Sequence, residues 1–154
     1  MREDQDPVIA VRRATPTDLL AVVRLVDHVP DLEAAGLTDV QRSTWARALT
    51  TDNLRIYVAL RGDHVVGTTS LLVMPHVTYG CHPTGFIEPM VVAAEHRRSG
   101  VGRRLAERAI ADARDAGCRK LQVVSHKRHA DDGAHDFYRS LGFVAEAEGF
   151  RLYI

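Results

Sequence analysis

Residues 91–105 of this chain place chemistry-bearing groups at a telling spacing. Val91 and Val92 end an apolar run, Gly100 and Gly102 punctuate a turn, and Val101 and Leu105 begin an amphipathic pattern. At a helix start several backbone N–H groups lack intrahelical partners and point outward with the positive end of the dipole. Glycines remove side chains that would hold a phosphate away from those N–H groups. Strand, glycine turn and helix together form an anion cradle, here surrounded by Arg97, Arg98, Arg103 and Arg104. A pyrophosphate is its natural occupant. Two nucleotide motifs are excluded. A P-loop needs Lys followed by Ser or Thr after its last glycine, where Arg103 and Arg104 stand. A dinucleotide fingerprint needs a third glycine where Leu105 stands.

The remaining reactive residues are less ordered. His76, Cys81 and His82, or His126, His129 and His135, have no recognised ligand spacing, so no metal site is expected. The run from His126 to His129 follows a strand end and reads as a solvated loop or as a site for an anionic group. Cys81 and Cys118 do not form a disulfide framework.

The elements that must position the cradle follow from periodicity. Val8–Arg12 reads as a strand. Thr15, Pro16 and Asp18 carry helix-start chemistry, and Leu19, Val22, Val23 and Val26 extend that helix to about His28. A second helix is expected over Val40–Leu49 with Trp45 on its inner face. Ile56–Leu60 and Val65–Met74 read as a hairpin about Gly62. Pro75–Thr84 reads as a loop, and Phe86–Val92 as a strand with a bulge or break at Pro89, which cannot donate a ladder bond. Val101–Ala116 is a helix stopped by Gly117, Leu121–Ser125 a strand, and Asp132–Leu141 a helix stopped by Gly142. Phe143–Glu146 and Phe150–Ile154 are expected to close the chain as a hairpin. Strands alternating with helices in the second half imply at least one parallel pair joined by a right-handed crossover, hence an α/β fold with a mixed sheet.

Composition sets the limits. The 154 residues suit one domain, with 45% hydrophobic and 26% charged residues as in globular proteins. Twenty basic residues balance twenty acidic ones, so no global field draws the chain to nucleic acid or anionic lipid, and any anion site is local. Interleaved aromatics of a nucleic-acid surface are lacking. No apolar run approaches a membrane span, and the polar first seven residues do not read as a secretory signal. A cytoplasmic location is the default.

Arg97-Arg98-Ser99-Gly100-Val101-Gly102 matches the Gln/Arg-x-x-Gly-x-Gly/Ala signature of the GNAT superfamily of acetyl-CoA-dependent N-acetyltransferases. The segment from Ala134 to Phe143 resembles that family's C-terminal helix, Ala-x-x-Phe-Tyr-x-x-x-Gly-Phe, and the opening from Val11 to Leu19 is also similar. The resemblance spans nearly the whole chain. It implies one domain over 1–154 with a mixed, mostly antiparallel sheet of six to seven strands. The sheet would be splayed between the fourth and fifth strands and flanked by about four helices. A homodimer is a frequent arrangement among proteins of this resemblance.

The resemblance also implies roles. Backbone N–H groups from Arg98 through Ser99, Gly100, Val101 and Gly102 to Arg103 would hold the coenzyme A pyrophosphate, with Arg97 opening the motif. Met90, Val91 and Val92 would pair with the pantetheine arm, and an N–H near Pro89 would polarise the acetyl carbonyl. Tyr138 would sit beside the sulfur and protonate the departing thiolate. Asp131 stands where the family often has Asn, so toward pantetheine it can accept but not donate when ionised. Glu88 lies on the strand that carries the acetyl site. Alternation groups it with Phe86 and Met90 unless a bulge intervenes, and its carboxylate would take a proton from the incoming ammonium or position the substrate. A small-molecule amine is the expected acceptor. A protein amine, or a non-catalytic module that senses acetyl-CoA, is the alternative.

Overall fold

The computed structural model describes residues 8–129 and 131–154. Five strands form one mixed sheet in the order β1-β2-β3-β4-β5: β1 Ile9–Arg13, β2 Leu54–Arg61, β3 His64–Met74, β4 Thr84–Val92 and β5 Lys120–Val123. The first four pair antiparallel. Four helices accompany them: α1 Leu19–Val26, α2 Asp39–Thr50, α3 Val101–Asp115 and α4 Ala134–Ser140. The four helices agree with the sequence reading, whereas the sheet has five strands and not six or seven. Residues 143–154 carry no strand, so the expected closing hairpin is absent from the described residues, with Phe150 and Leu152 exposed. Contacts divide the chain into two compact units, one ending at Gln122 and the other starting at Val123.

In the first unit the two faces of the sheet are covered by different helices. Even-numbered residues of β2 face α1 and α2: Val58 packs with Val22 and Trp45, against which Leu19, Leu49 and Ile56 also pack. Odd-numbered ones face α3, where Tyr57 donates a 2.6 Å hydrogen bond to Asp112. Val101, Leu105, Ala109 and Ala113 line the buried side of α3. Their four-residue spacing yields one apolar stripe, and burying each large side chain contributes roughly 1.5–3 kcal/mol. Gly67 permits the close approach. A β-carbon there would lie 2.9 Å from Val101 Cγ1 and 3.2 Å from the Val91 carbonyl oxygen.

The entry to α1 is pinned by charge. Asp18 is buried, accepts from the Thr15 N–H at 2.7 Å, and takes both guanidinium arms of Arg12 at 2.7 and 2.9 Å. The Arg12 hydrogen bonds hold the Asp18 carboxyl below the usual carboxylate range against the opposing effect of burial. Trp45 joins α2 to the same turn, its indole N–H donating to the Thr15 carbonyl at 3.2 Å.

Candidate functional site

The bulge expected at Pro89 is present. Thr69 pairs with Met90 and Leu71 with Ile87, so Ser70 alone opposes Glu88 and Pro89. The Glu88–Pro89 peptide is cis. The extra residue changes the face of everything beyond it. Phe86 pairs with Leu72 and Met90 with Thr69, and these β3 residues point to opposite faces. Alternation had grouped Glu88 with both Phe86 and Met90; the bulge puts Met90 on the α3 face and separates it from Phe86. Glu88 itself is exposed.

Two hydroxyls hold the bulge. Thr69 donates to the Pro89 carbonyl at 2.8 Å, and Ser70 donates to the Glu88 carbonyl. Sequence reasoning missed both residues. The signal was three consecutive hydroxyl residues, Thr68, Thr69 and Ser70, inside an otherwise apolar strand. Such groups need acceptors when buried, and a bulged neighbour supplies unpaired carbonyls.

Past β4 the chain turns into α3 through residues with left-handed backbone. Arg98 has φ 57° and Gly100, at the helix cap, φ 88°. The turn is fastened by Ser99 donating to the His96 carbonyl at 2.6 Å and by the Arg97 guanidinium to the Val92 carbonyl at 3.3 Å. The first bond of the helix start runs from the Arg104 N–H to the Gly100 carbonyl, 3.0 Å. The N–H groups of Val101 and Gly102 precede it and lie at the positive end of the dipole. Ser99, Gly100 and Arg103 share an open cavity of about 440 Å³ with Ile9, Arg104 and Glu107. Arg97 and Arg98 are exposed beside it, and Met90, Val91 and Val92 are half-buried and not part of its lining. This concave, cationic turn fits a pyrophosphate such as that of coenzyme A.

A second cavity, of about 230 Å³, lies on the other face of the sheet. Val22, Val26, Trp45, Leu54 and Ile56 form its apolar walls, and it ends against Thr68, Thr69, Ser70 and Pro89 at the bulge.

In the second unit, Tyr138 on α4 is flanked edge-on by Phe137 and Phe143, ring centroids 5.2 and 5.9 Å away. Burial pushes its phenol pKa above the ordinary value, so the group keeps its proton across the neutral range. The α4 start is held by Asp132, which accepts from the Ala134 N–H at 3.1 Å and pairs with His129. Asp131, the residue expected to face pantetheine, is exposed. Among the described residues no group of His, Cys, Asp or Glu is arranged to hold a metal, and no helix is long and apolar enough to cross a membrane.

Comparison with known proteins gives these features a context. Residues 24–143 match the model of the acetyltransferase (GNAT) family. An aminoglycoside N(6')-acetyltransferase type 1 from Stenotrophomonas maltophilia is 34% identical over 143 residues, 86% of this chain and 84% of the relative. A glucosamine 6-phosphate N-acetyltransferase from Trypanosoma brucei brucei is 27% identical over 94% of this chain and 95% of its own length. Among solved structures, one described as a transcriptional regulator from Bacillus halodurans C-125 superposes with a TM-score of 0.87 at 25% identity, covering 96% of this chain and all of that one. The family match reaches from α1 to Phe143 and so takes in both the bulged strand and the glycine turn. It establishes that this chain belongs to the acetyltransferase (GNAT) family and is an acyltransferase.

Proposed function

We propose that the chain transfers the acetyl group of acetyl-CoA to the primary amine of a small molecule by direct nucleophilic attack. The observation that carries this reading is the left-handed turn at Arg98 and Gly100, which opens α3 directly after a bulged strand. In it, the turn N–H groups and arginines bind the pyrophosphate, while Met90 to Val92 pair with the pantetheine arm. The small-molecule acceptor is supported by the activities named for the two sequence relatives. Acetyl-CoA supplies an activated thioester. The amine nitrogen attacks its carbonyl carbon, the carbon–sulfur bond breaks, and the thiolate leaves.

This chain's residues handle the two protons. Glu88, exposed on the bulge, accepts the proton that the ammonium must lose. Tyr138 returns one to the thiolate, since a phenol is protonated at neutral pH and has a proton to give. Holding both reactants in register can itself supply several kcal/mol, so modest acids and bases suffice.

The test is release of free thiol from acetyl-CoA in the presence of a panel of primary amines. A non-catalytic sensing module would bind coenzyme A and release none. Tyr138→Phe keeps the ring packing and removes the donor. Because general acid catalysis contributes about 100- to 10,000-fold, turnover should drop at least tenfold with little change in melting temperature. Turnover within about twofold of wild type would make Tyr138 a packing residue only.

A further inference from the structure

The 230 Å³ cavity between α1, α2 and the sheet is unlike a site for a sugar or a polycation. No residue lining it is charged, and five of its walls are apolar. Its polar end is equally selective. On this face Thr68 donates its hydroxyl proton to the Tyr57 carbonyl and Ser70 donates to the Glu88 carbonyl. With each proton already directed to a carbonyl, these side chains can only accept from a ligand. A neutral primary amine offers two N–H donors to such acceptors and keeps its lone pair for the thioester carbonyl.

The apolar surface also continues beyond the cavity. From the wall residue Leu54 it runs across the strands to Leu72 and on to Phe86 on the same face, and Leu72 is 40% exposed. Size is compatible with a compact ligand. An apolar cavity of about 150 Å³ admits benzene, so 230 Å³ accommodates a ring with a short chain.

We infer that the acceptor carries a compact hydrocarbon body, as in an arylalkyl or branched alkyl primary amine, seated in this cavity with its nitrogen toward the bulge at Ser70 and Pro89. The inference rests on the acetyl-transfer reading and narrows its substrate class. It separates this chain from relatives named for an aminoglycoside and a sugar phosphate, whose acceptors present many hydroxyls and charges. Trp45 forms a wall that senses the occupant.

Trp45 is the sole tryptophan, so its fluorescence reports on the cavity without any chemistry. The full chain with coenzyme A is titrated with 2-phenylethylamine, with glucosamine 6-phosphate, and with the aminoglycoside kanamycin. Thiol release from acetyl-CoA is measured in parallel. A saturable change in Trp45 emission with 2-phenylethylamine alone is expected, together with kcat/KM at least about tenfold above either polar amine. Val26→Phe fills the cavity and should raise KM for 2-phenylethylamine about tenfold, with the milder Val26→Leu intermediate. Thiol release with the polar amines but no Trp45 response to 2-phenylethylamine would overturn the inference and leave acetyl transfer standing. An unchanged KM in a folded Val26→Phe would overturn it as well. A saturable Trp45 response without thiol release would uphold the cavity's selectivity and overturn the transferase reading.

Discussion

The two faces of the sheet in the first unit are built to different standards. Against α3, Tyr57, Leu71, Leu105 and Ala109 are wholly buried, and Gly67 brings backbone and helix close together. A polar knot completes this face. Asp112 accepts from Tyr57 at 2.6 Å and from Arg108 at 3.0 Å, with Arg55 3.8 Å away. Against α1 and α2 the packing stops short, leaving the cavity at Pro89 and an exposed Leu72. The difference separates two tasks. The α3 face fixes the helix whose first turn we propose as the anion cradle, so it must not yield. The opposite face gives up packing for room beside the bulge.

The largest effect should come from emptying the tight face. Leu105→Ala removes a fully buried side chain where neighbours cannot collapse, and should destabilise by about 2–5 kcal/mol in chemical denaturation. A value under about 1 kcal/mol would show that this face is as loose as the other.

Tyr57→Phe comes next, at about 1–3 kcal/mol, because Asp112 loses a donor in a half-buried setting. Its pH signature is more telling. Burial, followed by the hydrogen bond to Asp112, raises the Tyr57 pKa. The stability this gives is complete below the phenol's ordinary value near 10 and is lost as pH rises above it. For Asp112, burial opposes ionisation, but Tyr57 and Arg108 outweigh it and lower the pKa. That stability is complete above about pH 4 and is lost as pH falls through the lowered value. Denaturation across pH should therefore show both limbs in wild type, and Tyr57→Phe should shrink the alkaline one to the part that buried Tyr138 contributes. An unchanged alkaline limb would remove Tyr57 from the knot.

Gly100→Val tests whether the rigid face serves the cradle. The nearest atom to a β-carbon there is Ile9 Cδ1 at 3.8 Å, so space is ample, but φ 88° is a conformation that a β-branched residue avoids. The turn should reshape while the core stays folded. Coenzyme A affinity by calorimetry should fall about tenfold, about 1.4 kcal/mol. Full affinity in the folded variant would displace the pyrophosphate from this turn. The smallest effect belongs to the loose face, where Val26→Ala at the cavity wall should cost under about 1 kcal/mol in the same denaturation experiment.

Much of this was legible because it is local. The Thr15–Asp18 helix start, Trp45 turned inward, the stripe from Val101 to Ala113 and the break at Pro89 all follow from residue type and spacing. The glycine turn and the Phe137–Tyr138 helix were readable as motifs as well. What escaped depends on pairing between distant segments. Alternation in Phe150-Arg151-Leu152-Tyr153-Ile154 shows that these residues suit a strand, but not that a neighbour offers them an edge. Proline announced an irregularity at position 89, yet only the register with β3 reveals that Met90 changes face. The Tyr57–Asp112 bond joins residues 55 apart in sequence. A cavity is the mutual placement of three elements and has no sequence signature at all.

Direct acetyl transfer to a small amine can be followed in a single turnover with labelled acetyl-CoA and excess 2-phenylethylamine. Mass spectrometry would follow both the amine and the protein. Direct transfer yields one N-acetylated amine for each thiol released and no acetylated protein at any time. Acetyl groups appearing first on the chain, or thiol released without any amide, would contradict it.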